Sequence, residues 1–354
     1  MENLCIYTKM DDTNATFKSG EHIFLAAIGG KRKLPVSYVS HEINNLFSKI
    51  ELQFSRESVI ALNRALQGPG KRGSLEANNA SESKVCLTYS NQLDGNMRYA
   101  LGYIKQAKPR SITQFIITLT HPASFALTAN YQEFLTKDEQ TTLYELHTSL
   151  KSSNRYTLII DENLDMNKVL YGIHKGKWYL CINNEVMQPE ADRVIEFLKN
   201  RPTPTANESR KLDNQVTVHQ QQAFNIDEFY RVAVKMIFNY LACSKGRDFI
   251  LSSRFDPIRY WILNGGDNTF ANLTPSISNT SDDLFPKSSH RIFISETPDT
   301  FIGQISFYGT NYRIIVKLCD LDIGERLISS PIGFICDWEN GKEYDLLDYI
   351  SSFS

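Results

Sequence analysis

Cysteine is scarce in this chain, and no two cysteines stand at a spacing typical of a metal site. The six cysteines among 354 residues include no CxxC pair. A disulfide framework and a four-cysteine zinc site are therefore both unexpected. Scattered single thiols are typical of a reducing compartment, and the first residues lack the basic-then-apolar pattern of a signal peptide. We therefore expect a cytoplasmic location.

Long apolar runs and an excess of one charge are also missing. No stretch approaches the roughly 18 consecutive apolar residues that cross a bilayer, so we expect no membrane association. Lys and Arg total 38 against 40 Asp and Glu, which gives a formal net charge of −2. That balance excludes a histone-like polycation, so nucleic-acid binding would have to come from a local basic patch.

The overall composition and the sequence patterns are those of a folded protein with both helices and strands. Hydrophobic residues make up 42% of the chain and charged residues 22%, the balance of a globular protein rather than a disordered one. Helical spacing and short β-like runs are both present, so we predict an α+β fold. The β-like runs stand at 115–119, 156–160, 177–182, 290–295, 302–308 and 312–318.

Two stretches have the periodicity of long helices. Between Ser40 and Leu66, apolar residues recur at steps of three and four. The strongest helix is predicted at about Ile226 to Cys243, where one face is apolar. Asn225 or Asp227 can cap its start, and Gly246 can end it.

Composition divides the chain into four parts. We expect a compact module at 1–75 and a mixed α/β region, with no assigned role, at 76–202. A polar linker is predicted at 203–222, because this stretch has few apolar residues and one pair of prolines. The remainder, 223–354, is predicted to be a C-terminal region of helices followed by strands.

Only the first 60 residues contain a set of side chains suited to chemistry. A hydrolytic nuclease needs a base for water, a group that orients the base, and oxygen ligands for a divalent ion. His22 can be the base, and Asn44 can hold its ring through the side-chain carbonyl. Glu21 and Glu51 can supply hard oxygen ligands. A single histidine between a glutamate and an isoleucine is also common as a structural residue, so the pattern alone leaves both interpretations open.

A family resemblance adds to this pattern. Several motifs resemble, in order and spacing, the N-terminal module of bacterial HNH endonucleases. These motifs are Cys5-Ile6-Tyr7-Thr8, Glu21-His22-Ile23, Ala27-Ile28-Gly29-Gly30, Asn44-Asn45-Leu46-Phe47-Ser48 and Ile50-Glu51. Two later segments, Tyr230 to Gly266 and Gly303 to Gly309, look like regions that follow the module in one such group. The resemblance covers both ends of the chain and leaves the middle unmatched.

The resemblance implies a ββα-metal fold, in which a hairpin carries His22 and a helix carries Asn44. The general base of the family falls on His22 and the base-orienting residue on Asn44. Glu21 matches the acid that contacts the catalytic ion, expected to be Mg²⁺ or Mn²⁺. Gln53 stands where the family has a further histidine, so we assign that ligand role to Glu51.

The zinc knuckle of the family is degenerate in this chain. Of its four cysteine positions only Cys5 is retained, and the others are Thr8, Ser40 and Ile43. Because these three side chains cannot replace thiolates, we predict no structural zinc. Local packing of Ile43 with Tyr7 and Phe47 is expected in its place.

Two glycine-containing loops carry basic residues close to this motif. Lys31, Arg32 and Lys33 follow Gly29-Gly30, and Lys71 and Arg72 lie between Gly68 and Gly73. These side chains are candidates to neutralise phosphates and position a duplex. Ordinary solvated loops would have the same composition, so both interpretations stay open.

The sequence supports two hypotheses of function, one an enzyme and the other a scaffold or interaction protein. The first is a metal-dependent HNH endonuclease that hydrolyses DNA phosphodiester bonds, with RNA not distinguished from DNA. At the level of the family, such proteins serve in anti-phage defence, some as parts of larger complexes. The second is a catalytically decayed HNH-like scaffold or interaction subunit, suggested by the lost cysteines and the missing histidine.

Overall fold

A computed structural model describes residues 3–91, 97–119, 124–128, 138–203, 217–219, 224–274, 280–309 and 312–352. Helices account for 35% of the structure and strands for 30%, and the strands are arranged in three separate sheets. The predicted α+β class is therefore confirmed.

Helices occur near both ends and in the middle of the chain. Within the described ranges the α-helices are α1 His41–Glu57, α2 Val59–Leu66, α3 Glu139–Lys151, α4 Gln188–Lys199, α5 Ile226–Lys245, α6 Arg247–Ile250, α7 Asp256–Asn264 and α8 Leu346–Ser351. The predicted helix near 226–243 is confirmed as α5. Asn225 caps it by accepting hydrogen bonds from the backbone N–H groups of Asp227 and Glu228.

Six of the described strands match the β-like runs of the sequence, and nine others were not predicted. The described strands are β1 Cys86–Asn91, β2 Met97–Lys105, β3 Lys108–Ser111, β4 Thr113–Thr118, β5 Ser124–Thr128, β6 Tyr156–Ile160, β7 Lys168–His174, β8 Lys177–Ile182, β9 Thr217–His219, β10 Ala271–Thr274, β11 His290–Glu296, β12 Thr300–Phe307, β13 Tyr312–Asp320, β14 Ile332–Asp337 and β15 Lys342–Asp345. Each of the six predicted runs corresponds to one strand.

The chain divides into two compact units, one of which is built from both ends of the sequence. Met1–Ser81 and Gln222–Ser354 together form the first unit, and Glu82–Gln221 forms the second. The stretches predicted as an N-terminal module at 1–75 and a C-terminal region at 223–354 thus belong to one unit. Most of the predicted linker, 204–216 and 220–222, lies outside the described residues.

In the first unit, α5 packs against a six-stranded antiparallel sheet of order β10-β13-β12-β11-β14-β15. The approach is close at Gly303 of β12, where an added Cβ would lie 2.8 Å from the Ile237 side chain. On another face of α5, Phe229 stacks on Phe54 of α1 with ring centroids 5.0 Å apart. The sheet, α5 and α1 therefore share one hydrophobic core.

The N-terminal segment of this unit has little regular structure before α1. Residues 3–40 contain two isolated antiparallel bridges, Leu4 with Asp11 and His22 with Lys33. Around the second bridge, Leu34 N–H donates to the Glu21 carbonyl at 2.7 Å. A short antiparallel pairing at His22 is thus followed by a helix that carries Asn44, while the HNH-type assignment of the segment stays a prediction.

The predicted continuous helix from Ser40 to Leu66 is wrong at one position. Ser58 has extended backbone angles and separates α1 from α2. Its hydroxyl oxygen accepts a hydrogen bond from the N–H of Ile60 and so caps the start of α2. Serine is a preferred N-cap residue because its short side chain can satisfy a free helical N–H. The apolar periodicity continues through this break and therefore conceals it.

The second unit consists of two sheets and two helices. The four-stranded sheet has the order β3-β2-β1-β9, and the five-stranded sheet has the order β5-β4-β7-β8-β6. One apolar cluster joins the two sheets and includes Leu87, Leu101, Leu170 and Cys181. A second cluster joins the five-stranded sheet to α3 and α4 and includes Phe115, Tyr171, Leu146 and Ile195. Neighbouring residues of β7 thus face opposite layers, as strand geometry requires.

Candidate active site and its internal ion cluster

The two carboxylates predicted as metal ligands do converge, but on a lysine. The Lys235 ammonium lies 2.6 Å from Oε1 of Glu21 and 2.6 Å from Oε1 of Glu51. The Lys235 side chain is 1% exposed, whereas those of Glu21 and Glu51 are 12% and 21% exposed. We call Glu21, Lys235 and Glu51 the ion cluster.

Each member of the ion cluster is placed by a different part of the first unit. Glu21 precedes the bridge between His22 and Lys33, while Lys235 lies on α5. Glu51 lies on the face of α1 that carries the buried Phe47, one helical turn earlier. The cluster therefore ties the N-terminal segment and α1 to α5.

The Lys235 ammonium is well accommodated despite its burial. Two of its three N–H donors face the carboxylates, and the Phe47 ring centroid lies 5.0 Å from its nitrogen. Burial by itself disfavours the ammonium, but the charges of Glu51 and Glu21 outweigh it and raise the pKa of Lys235. Lys235 is therefore a permanent cation at neutral pH.

A second polar chain runs beside the ion cluster. The Tyr7 hydroxyl donates to Oδ1 of Asn239 at 2.7 Å, and Nδ2 of Asn239 donates to the His22 carbonyl at 2.9 Å. Asn239 lies one turn after Lys235 on α5, so a single helix face holds both networks. Burial, together with the charge of Glu21, raises the pKa of Tyr7 well above its ordinary value. Tyr7 therefore stays a neutral donor.

The surroundings of the His22 ring favour its neutral form. Its side chain is half-buried, and burial together with the charge of Lys33 lowers the pKa of His22 below its ordinary value. The imidazole is consequently neutral at pH 7, and it is a weaker base than a free histidine side chain. Asn44, the predicted orienting residue, does not hold it in this structure. Within the described ranges, Oδ1 of Asn44 is buried and has no hydrogen-bond partner.

The donor set does not fit Mg²⁺ or Mn²⁺ in its present form. A small divalent ion needs oxygen ligands at about 2.0–2.1 Å, and the Lys235 ammonium already contacts one oxygen, Oε1, of each carboxylate. The ammonium would have to leave before an ion could bind both carboxylates. Across the described parts of the chain, no group of three His, Cys, Asp or Glu side chains is arranged to hold a metal.

Two of the predicted phosphate-binding residues contact other parts of the protein. The Lys31 ammonium donates to the Gly341 carbonyl at 2.8 Å, and the Arg32 guanidinium donates to Asp345 at 2.7 Å. The Arg32 guanidinium also lies 4.5 Å from the centroid of the Phe334 ring. Both side chains therefore hold the first glycine loop to the β14–β15 hairpin.

The other three predicted phosphate-binding residues, Lys33, Lys71 and Arg72, are exposed. The two glycine loops that carry them are in contact, because a Cβ added at Gly73 would lie 2.8 Å from the Ala26 carbonyl oxygen. Arg72 has a φ of 53°, a left-handed conformation that is uncommon for a residue with a side chain. The two loops thus meet near Gly29 and Gly73, and each carries exposed cations.

Internal contacts hold these loops in place. The Arg64 guanidinium donates to the Gly70 carbonyl at 3.0 Å, and the Tyr308 hydroxyl donates to the Gly68 carbonyl at 2.8 Å. Gly29 has a φ of 97°, and an added Cβ there would meet Trp338 at 2.5 Å. The glycine at this position is therefore required both by its backbone angles and by packing.

The positions of the degenerate knuckle have structural uses. Ser40 caps α1 by accepting a hydrogen bond from Ile43 N–H, and Ile43 is buried. Tyr7 and Phe47 are buried together, with ring centroids 6.2 Å apart. The predicted packing of these side chains is therefore present.

Lys235, Asn239 and Tyr7 were not recognised as site residues from the sequence. Lys235 stands in the middle of the strongest apolar helix, between Val234 and Met236. A charge in such a setting requires buried partners, which is the signal that points to it. The identity of those partners, 184 and 214 positions earlier in the chain, has no local sequence signal.

Comparison with known proteins finds no matching family model, no matching curated protein and no matching solved structure. The resemblance to HNH endonucleases therefore rests on the sequence motifs alone, and function has to be argued from the site itself.

Proposed function

We propose that this chain is an HNH-like scaffold or interaction subunit in which the catalytic metal site has become an internal ion cluster. The observation that carries the proposal is the position of Lys235, whose ammonium contacts both Glu21 and Glu51. A buried cation that is paired with two acids is costly to remove, and it competes with a divalent ion for the carboxylate oxygens that it contacts.

Nucleic acid is the partner that the surface of this module suits. Lys33, Lys71 and Arg72 are exposed on adjoining loops, where they can contact phosphates without reading sequence. DNA is the first candidate, and RNA offers the same phosphate chemistry. A scaffold of this kind would act beside other subunits, which we propose to belong to a cytoplasmic anti-phage defence complex. No helix in the described ranges has the length and apolarity to cross a membrane.

The second candidate function is the metal-dependent HNH endonuclease, and one observation favours it. The half-buried His22 imidazole is neutral at pH 7, which is the protonation state that a general base needs, and its lowered pKa makes it a weaker base than a free histidine side chain. In that case His22 is the general base, and Lys235 must move away from Glu21 and Glu51 before the site can bind Mg²⁺ or Mn²⁺.

Cleavage assays separate these two functions. Purified protein is incubated with supercoiled plasmid, single-stranded DNA and RNA, each with Mg²⁺, with Mn²⁺ or with EDTA. The scaffold proposal expects binding of the plasmid without nicking. Metal-dependent nicking that disappears in His22→Ala but persists in the matched variant His41→Ala would overturn it and support the endonuclease. His41 lies in the first turn of α1, outside the ion cluster.

A further inference from the structure

We propose that strand β6 of the second unit is an interface, and that it pairs with the same strand of a second copy of this chain. Tyr156–Ile160 forms one edge of the five-stranded sheet, and within the described ranges it pairs with β8 alone. Its other edge can therefore accept a further strand through main-chain hydrogen bonds.

The backbone of β6 presents three residues to this open edge. β6 and β8 are parallel, and the Asp161 N–H donates to the Ile182 carbonyl at 3.0 Å. Because backbone groups alternate in direction along a strand, Tyr156, Leu158 and Ile160 direct their N–H and C=O groups away from β8. Each of the three can donate one hydrogen bond to an added strand and accept another.

The β6 edge lacks the residues that hinder strand addition, which are charged side chains and proline. Its five residues include neither, and the Ile160 side chain is 49% exposed. By contrast, β3 carries two basic residues and a proline, and three of the four residues of β15 are charged. The edges β9 and β10 are only three and four residues long. β5, the opposite edge of the same sheet, is also uncharged, and the experiment below distinguishes it from β6.

The sequence of β6 suits antiparallel pairing with itself. When Leu158 lies opposite its counterpart in the second copy, Tyr156 lies opposite Ile160, and Thr157 lies opposite Ile159. Pairs of aromatic and β-branched side chains are favourable across strands. In this register the outward backbone groups of the two copies face one another, so their hydrogen bonds form without a shift. The same two-fold arrangement covers the exposed Ile160 side chain with a tyrosine ring.

Charges at the ends of β6 favour the antiparallel direction. Arg155 precedes the strand and is exposed, and Asp161 follows it and is buried. Antiparallel pairing brings Arg155 of each copy toward Asp161 of the other, whereas parallel pairing would place like charges side by side. Asp161 keeps its hydrogen bonds from Asn163, so the attraction acts between charges and not through a direct ion pair.

Sedimentation velocity of the full chain over a range of concentrations tests the interface. A five-residue strand forms a small interface, so we expect a dimer that dissociates at micromolar concentration or above. Ile160→Lys should weaken this dimer about tenfold or more, because it places a charge at the covered edge. Thr157→Lys, at another exposed position of β6, should have the same effect if Ile160→Lys does not fold.

Ile315→Lys is the matched control for these variants. Ile315 is 39% exposed on β13, which is paired on both sides by β10 and β12. The same substitution there adds an equal charge without touching an open edge. We expect its dimerisation to equal that of wild type.

Disulfide cross-linking tests the register. Leu158→Cys should form a cross-linked dimer on oxidation, because directly opposite Cα atoms about 5.5 Å apart lie within the span of a disulfide. Ile160→Cys should cross-link less although it is more exposed, because its counterpart lies more than about 10 Å away along the paired strands. Wild-type protein, with five buried cysteines and the half-buried Cys243, gives the background.

Three results would overturn the proposal. One is wild-type protein that stays monomeric up to about 1 mM. Another is a dimer that both lysine substitutions in β6 leave intact, which would place the interface at another edge such as β5. The third is stronger cross-linking of Ile160→Cys than of Leu158→Cys, which would indicate random collision. None of these measurements involves nucleic acid or metal, so the proposal can fail or hold independently of the proposed function.

Discussion

The hydroxyl of Tyr7 donates a 2.7 Å hydrogen bond to Oδ1 of Asn239, which lies 232 positions further along the chain. Asn239 in turn donates to the His22 carbonyl, so one amide connects two points of the N-terminal segment to α5. The first of these contacts is buried and the second is partly buried, so the segment that carries His22 is held by hydrogen bonds as well as by apolar packing.

Asn239→Ala is expected to destabilise the protein by about 2–3 kcal/mol, because it leaves the Tyr7 hydroxyl and the His22 carbonyl without their partner. Urea unfolding followed by circular dichroism measures the change. Asn264→Ala is the matched control. Its side chain donates to the exposed carbonyl of Tyr260 on α7, so we expect a change below about 0.5 kcal/mol. Equal losses in the two variants would contradict the role of Asn239.

We expect loss of the Lys235 charge to reduce the free energy of unfolding more than loss of the Glu51 charge. Lys235→Met should cost about 3–5 kcal/mol, because two carboxylates then face each other without a cation. Glu51→Gln should cost less, because Glu21 still pairs with the ammonium. Addition of both glutamine substitutions to Lys235→Met should recover part of the loss, which urea midpoints of the series would detect as non-additivity. Strict additivity would show that the three residues act separately.

From the burial of His290 we predict that the free energy of unfolding falls in acid. Burial lowers the pKa of His290 from 6.5 to about 3, while its ring contacts the Ile28 carbonyl and the Tyr308 N–H. Since the unfolded chain binds the proton more readily, this contribution to stability is present above pH 6.5 and lost as the pH falls toward 3. The expected loss between pH 7 and pH 5 is about 2 kcal/mol.

The pH prediction is checked with His290→Asn, compared with wild type by urea unfolding at pH 7 and pH 5. The variant should be less stable at both values, because the contacts to Ile28 and Tyr308 are impaired. Its stability should nevertheless change less between the two values. A pH dependence equal to that of wild type would assign the acid sensitivity to other groups.

We expect the cations of the two basic loops to fall into two groups, those that bind DNA and those that stabilise the fold. Replacement of Lys71 and Arg72 with glutamine should weaken DNA binding and reduce the slope of log K against log salt by about 2, since two phosphate contacts are lost. Arg32→Gln should leave the slope unchanged and reduce stability, because Arg32 pairs with Asp345 and Phe334. Fluorescence anisotropy with a labelled duplex at several salt concentrations measures both. Equal slopes for wild type and the double variant would remove these loops from the interface.

Local patterns predicted six of the fifteen described strands and the longest helix, and they did not predict the contacts between distant parts of the chain. Helix α5 was predictable because its apolar residues recur with helical spacing and Asn225 caps it. The break at Ser58 was not, because the apolar periodicity continues across it and neither Gly nor Pro marks it. Glu21 and Glu51 were predicted to be ligands of one divalent metal ion. They do meet, but the group between them is Lys235, which lies 214 positions after Glu21 and 184 positions after Glu51.

Because the first unit combines both ends of the sequence, its N-terminal part is synthesised well before its C-terminal part. Glu51 leaves the ribosome 184 residues before Lys235, a delay of roughly 10–40 s at about 5–20 residues per second. Throughout this time the N-terminal segment has neither α5 nor its ammonium to pack against, while the whole of the unit at Glu82–Gln221 is translated. Phe47 and Phe54 therefore lack their α5 partners until the central part of the chain and then α5 have been synthesised. During this time their exposed rings must be kept from causing aggregation. A chaperone that binds the first 81 residues would act during this interval.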